Sequence, residues 1–255
     1  MRIVEDAAEA RQVLLKHRGL GLDAVTPQVL NRIEDAFGER LTPLQVVERV
    51  LGDVKRRGDQ AVRELTLKLD DTSLDALEVP KEKIEAAYGS VDGQVVEALR
   101  TSAERVREFH QAAVVRSWMD SDRGYGQLVN PVGRVGVYVP GGTARYPSTV
   151  IMTAVPAKVA GVREVVICTP PADTGLPHPV VLVAADIAAV DRVFTIGGAQ
   201  AVAAMAYGTA SVPAVDMVCG PGNLFVTLAK KLLFGEVGID GLYGPTETVV
   251  IADET

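Results

Sequence analysis

The sequence predicts an α/β protein in which a helical N-terminal region leads into a parallel-sheet domain, with the start of a second α/β unit after it. Three observations carry this. Of 59 charged residues, 42 fall in residues 1–125 and 17 in the 130 that follow, so polar, amphipathic elements give way to buried ones. Short β-branched runs then appear: VGVYV (135–139), EVVIC (164–168), RVFTI (192–196), VDMVC (215–219) and TVVIA (248–252). They are apolar at nearly every position, as strands covered on both faces are, and Ala-rich helical segments separate them.

Element by element, Thr26-Pro27 and Thr42-Pro43 each offer a capping hydroxyl followed by proline at the first helical position, and Gln45 completes a capping box with Thr42. Helices over 27–37 and 43–57 follow. Val95, Val96, Leu99, Ala103, Val106 and Phe109 repeat at three- and four-residue steps, which predicts one long amphipathic helix. Beyond Asn130 the predicted helices are 147–160, 178–189, 199–207 and 222–234, each between two strands. The stretch PPADTGLPHP (170–179) reads as an exposed loop.

Composition narrows the function. A net charge of −7 and a pI near 5.1 exclude the basic stripe of a nucleic-acid binder, leaving a small molecule as the expected partner. MRIVEDAAEARQ lacks the basic-then-apolar layout of a signal peptide, and no run approaches the ~18 apolar residues of a membrane span, so the expectation is a cytoplasmic protein without membrane contact. Cys168 and Cys219 each end a strand-like run and read as small buried hydrophobes rather than a disulfide. His17, His110 and His178 have no metal-ligand spacing; His110 reads as structural and the other two as solvent-facing.

Ligands of open α/β sheets bind beyond the carboxyl ends of the strands. Three loops sit there, YVPGGTARYPST (138–149), IGGAQAVA (196–203) and CGPGNLFV (219–226), and YGPTET (243–248) precedes the last strand. The Gly-Pro-Gly-Asn turn leads into a helix, whose orphan N–H groups and dipole favour an oxygen-rich ligand, although it is not a G-x-G-x-x-G fingerprint. Tyr138 offers an aromatic face with a hydroxyl beside paired glycines; the bland alternative is a packed tyrosine on a tight turn. Gln200 is a long amide among alanines, either a ligand contact or a side chain that satisfies helix-terminal groups. Asn223 is either a ligand contact or an N-cap. Cys219 beside a helix start is a conceivable nucleophile, but with no histidine near it in sequence the core reading is preferred.

In order and spacing, GVYVPGG (136–142), YPSTVIMTAVPAKVAG (146–161), IGGAQAVAAMAYGT (196–209), CGPGN (219–223) and GPTE (244–247) resemble the histidinol dehydrogenase family, as do RRGDQAVRELTLKLD (56–70) and VREFH (106–110). The resemblance implies a helical N-terminal region over 1–125, a Rossmann-like NAD-binding domain over 126–235, and in 236–255 the first strand of a second, incomplete α/β domain. It implies oxidation of L-histidinol to L-histidine through histidinal with NAD⁺ and water, the last step of histidine biosynthesis. By motif, Tyr138, Gln200 and Asn223 fall at the family's NAD contacts. Thr246 stands where the family usually has a substrate-contacting serine. A homodimer whose active sites borrow from the partner is implied as well. The family's zinc-binding Gln-x-x-His and its Glu-His acid/base pair are expected beyond Thr255, so no metal ligand or catalytic residue is assigned within the 255 residues. The expectation is a chain that needs a C-terminal polypeptide for turnover. The alternative is a non-catalytic nucleotide-binding or interaction module on the same fold.

Overall fold

Thr42 and Gln45 close the box expected of them. The Gln45 N–H donates to Thr42 Oγ1 at 3.3 Å and the Thr42 N–H donates to Gln45 Oε1 at 2.9 Å, starting the helix Pro43–Arg57. Thr26 does not repeat this: its hydroxyl caps nothing, because the N–H groups of Val29 and Leu30 both turn to its carbonyl, and the third helical position holds valine rather than Glu or Gln. The computed structural model describes residues 6–14, 25–141 and 145–242. Predicted strand 248–252, the YGPTET segment and Thr246 lie outside the described residues.

The N-terminal region runs α1 (Ala7–Leu14), α2 (Pro27–Phe37), α3 (Pro43–Arg57), α4 (Asp59–Asp70), α5 (Lys81–Ala87) and α6 (Gly93–Ala113), followed by a small antiparallel hairpin of β1 (Trp118–Asp120) and β2 (Tyr125–Gln127). Next come β3 (Arg134–Tyr138), α7 (Pro147–Val159), β4 (Glu164–Thr169), α8 (Pro179–Ile187), β5 (Arg192–Thr195), α9 (Gly198–Tyr207), β6 (Met217–Cys219), α10 (Leu224–Leu233) and β7 (Gly238–Ile239). These five strands form one parallel sheet in the order β5-β4-β3-β6-β7. The strand β6 begins two residues later than its apolar run, because the Val215 N–H bonds to the Met205 carbonyl before the chain enters the sheet.

Alternation along each strand sends side chains to opposite faces. Val166 and Cys168 of β4 join a core with α3, α4, α9 and α10, whereas Val165 and Ile167 join one with α6, α7 and α8. The helical region therefore packs over both faces of the domain, against the helices α7–α10 that cover the sheet. It also closes one edge: Val79 N–H donates to Val193 O and Thr195 N–H to Leu77 O, both at 2.8 Å, while the Arg192 guanidinium grips Glu78. An open strand edge is thereby covered.

Two sequence expectations change. In α6 only Val96, Leu99 and Ala103 are buried and Val106 is half-buried; Phe109 is 71% exposed, since the sheet-side packing ends before that turn. The 170–179 stretch is not simply an exposed loop. It is mostly half-buried, with Pro177 buried and an Ala172–Leu176 backbone bond holding it. Its Pro170 lies so close that a Cβ on Gly141 or Gly197 would come within 2.5 or 2.8 Å of the ring. Among the described residues no helix is long and apolar enough to cross a membrane.

Candidate functional site

The strand order places the first strand, β3, in the middle. From it the chain moves outward through β4 and β5, then returns to the other side of β3 for β6 and β7. Loops leaving β3 and β6 diverge to opposite faces at this switch, where open α/β sheets hold ligands. Val137 and Cys219 are register partners there, so the Tyr138 and Gly220 turns start side by side.

The turn after β6 is held at every polar group that positions it. Gly220 takes φ +108°, and a Cβ there would lie 2.1 Å from the Tyr138 carbonyl oxygen, so only glycine fits. Its N–H donates to Asp240 Oδ2 at 2.8 Å, and its carbonyl accepts from Lys230 Nζ at 3.0 Å. Lys230, 2% exposed, in turn pairs with Asp240. Three residues on from Gly220, Asn223 Oδ1 accepts from the N–H groups of Phe225 (3.0 Å) and Val226 (3.1 Å), capping α10. The N-cap reading of Asn223 thus holds, and its exposed position leaves the amide NH₂ directed at no residue among those described.

The turn after β5 is the opposite case. Gly198 has φ +59°, and a Cβ on it would come 2.6 Å from Gln200 Oε1, so the glutamine folds back over the glycine pair. Gln200 is wholly buried, yet neither Oε1 nor Nε2 has a hydrogen-bond partner among the described residues. The helix-end role that the sequence left open for Gln200 is not filled. Tyr138, 4% exposed, packs in the core instead of presenting its ring, and its hydroxyl accepts from the Gly198 N–H at 3.2 Å. Burial pushes its phenol up to about 12, with the Asp70 carboxylate adding to the shift. Asp70, at the end of α4, has one carboxylate oxygen buried and without a partner among the described residues, 3.4 Å from where a Gly197 Cβ would stand. Sequence reasoning missed it, although an acid at a helix C-terminus opposes the dipole and was a readable signal.

The sequence matches the family profile described as histidinol dehydrogenase over residues 39–255. This chain belongs to the histidinol dehydrogenase family. It is 53% identical over 254 residues to the histidinol dehydrogenase of Deinococcus radiodurans, covering 99% of this chain and 57% of that protein. It is 51% identical over 256 residues to that of Dehalococcoides mccartyi, covering 100% of this chain and 58% of that protein. The crystal structure of histidinol dehydrogenase from Elizabethkingia anophelis is similar with a TM-score of 0.77 at 30% identity, over 82% of this chain and 49% of that one. The chain thus spans a little over half the length of the curated relatives it matches.

Within this family member the remaining candidates sort plainly. Burial raises the Cys219 thiol to about 11, with Asp240 adding to it, and raises buried Cys168 further, so neither is an activated nucleophile. His178 is not solvent-facing as expected: it caps α8, its Nδ1 accepting from the Val180 N–H at 3.2 Å, and burial then Arg145 lower its pKa. His110 is half-buried against Phe109, with ring centroids 5.3 Å apart. His17 and Thr246 lie outside the described residues. Among the described residues no group of three His, Cys, Asp or Glu side chains is arranged to hold a metal.

Proposed function

We propose that the protein takes part in NAD-dependent oxidation of L-histidinol to L-histidine, with residues 1–255 supplying the dinucleotide side of the site. One observation carries this beyond family membership: at the carboxyl edge of a doubly wound sheet, Gln200 keeps an amide unanswered among the described residues over a glycine pair, one member at φ +59° and the other against Pro170. A buried amide without partners costs about 1–3 kcal/mol, which a bound carboxamide or hydroxyl would offset.

NAD⁺ fits this setting, and when bound it supplies the hydride acceptor. The chain's own residues do the positioning. Gln200 both donates to and accepts from the nucleotide, and Asn223 directs its NH₂ outward while its Oδ1 fixes the helix start. Tyr138 acts through its hydroxyl on Gly198, setting the turn on which Gln200 sits. Thr246 is proposed to bring a hydroxyl to the substrate, in place of the family's serine. Zinc does not fit the described residues, which offer no ligand cluster. The zinc and acid/base groups are assigned to the remaining length of the family's proteins. A cytoplasmic homodimer belongs to the same reading and rests on the resemblance.

Two measurements test the proposal. Titration calorimetry of NAD⁺ against the wild-type chain and Asn223→Ala is expected to give binding that weakens in the variant; equal affinity in both removes Asn223 from the site. Histidinol-dependent NADH formation is then followed for the 255-residue polypeptide alone and mixed with a polypeptide carrying the rest of the family's length. Turnover only in the mixture is expected. NAD⁺ binding without turnover in the mixture favours the non-catalytic nucleotide-binding module.

A further inference from the structure

Three elements that are distant in sequence meet at the Gly197-Gly198 peptide: β3 through the Tyr138 hydroxyl, α9 through the Gln200 amide, and α4 of the helical region through Asp70. The third is the unexpected one. Neither Asp70 oxygen receives a hydrogen bond from the described residues, and one of them is buried. No cation answers it, and burial alone pushes the carboxyl up to about 6. The residue also ends α4, where the helix dipole disfavours negative charge, and the next residue, Asp71, takes a left-handed φ of +50°. Every local term therefore opposes a carboxylate at this position, while an asparagine or a leucine would relieve it. A group that destabilises the fold and lies beside an unpaired amide is arranged for something that binds there.

We propose that Asp70 is a ligand-binding residue of the same site, its ionised carboxylate accepting a hydrogen bond from a hydroxyl of the bound nucleotide, next to the donor and acceptor of Gln200. The chemistry selects a hydroxyl, because a carboxylate only accepts and a phosphate would meet like charge. The helical region thereby supplies part of the nucleotide site, in addition to packing over the domain. This inference rests on the nucleotide reading given above.

The test uses the full 255-residue chain and Asp70→Asn, an isosteric change that keeps the shape and removes the charge. Thermal unfolding and NAD⁺ titration calorimetry are measured on both. The expected pair of results is a melting temperature raised by roughly 2–4 °C and an affinity lowered by on the order of tenfold or more, the loss of a charge-assisted hydrogen bond. A structural role predicts the reverse sign for stability. If Asp70→Asn melts lower than wild type, or if wild type binds NAD⁺ and the variant binds it equally, the assignment of Asp70 is overturned while the site reading stands. If the wild-type chain binds no NAD⁺ at all, the reading of the whole site fails, and the Asp70 assignment with it.

Discussion

The two glycine turns at the carboxyl edge of the sheet are built on opposite plans. Around Gly220 the N–H, the carbonyl, the oxygen of the capping amide and a buried lysine all have partners within the chain. Around Gly197-Gly198 the buried amide of Gln200 and a buried oxygen of Asp70 have none among the described residues. Both turns exclude side chains at their glycines, so the difference lies in what surrounds the backbone. A satisfied turn is rigid and presents a fixed helix start, whereas an unsatisfied one carries an energetic debt that a ligand can settle.

The largest effect is expected at the satisfied turn. Gly220→Ala forces a Cβ within 2.1 Å of the Tyr138 carbonyl oxygen at φ +108°, and is expected to cost about 4 kcal/mol from strain and overpacking. Urea unfolding checks it; a cost under about 1 kcal/mol would mean that the turn is not held as described. Next comes Asp240→Ala, which leaves the Lys230 ammonium buried opposite a missing charge and is expected to cost about 3 kcal/mol by the same measurement. Unchanged stability would show that the pair does not clamp the turn.

Smaller is Asn223→Ala, which removes an N-cap bonded to two N–H groups and is expected to cost about 1 kcal/mol in stability in addition to its effect on NAD⁺ binding. A pH dependence is expected as well. The folded-state pKa of Asp70 is raised, to about 6, so the folded chain holds that proton more tightly than the unfolded chain. Its contribution therefore favours the fold below the unfolded pKa near ~4, and is lost as pH rises through about 6. Denaturant melts between these limits are expected to fall with pH more steeply in wild type than in Asp70→Asn. Parallel profiles would contradict the buried, unpaired placement of Asp70.

Much of the fold was legible because it follows local rules. The Thr42 box, the proline-initiated helices and the four apolar runs within the described residues appear where periodicity put them, with ends shifted by one or two residues where a backbone bond such as Val215 to Met205 diverts the chain. Thr26 and Phe109 show the limit of those rules. A capping residue caps only if the N–H groups are not already taken, and an apolar residue is buried only if something packs over it. In the site, Gln200 and Asn223 could be named from sequence, but the distinction between them could not, since both are amides beside glycines. Only the packing reveals that one is satisfied and the other is not. Asp70, Lys230 and Asp240 were harder to read for a related reason: each acts on a turn distant from it in sequence. Lys230 did leave a trace, a charge in the apolar phase of LFVTLAKKLL, and Asp70 left one at the wrong end of its helix.

The central claim, that the Gly197-Gly198 turn is unsatisfied because a nucleotide completes it, is tested most directly by Gln200→Leu. The substitution removes both unpaired polar atoms while keeping an apolar volume in the same buried space. Unfolding free energy and NAD⁺ affinity, measured on the same preparation, are predicted to move in opposite directions: stability up by about 1–2 kcal/mol, binding reduced below detection or by at least tenfold. A variant that is less stable than wild type and binds NAD⁺ with unchanged affinity would contradict the account.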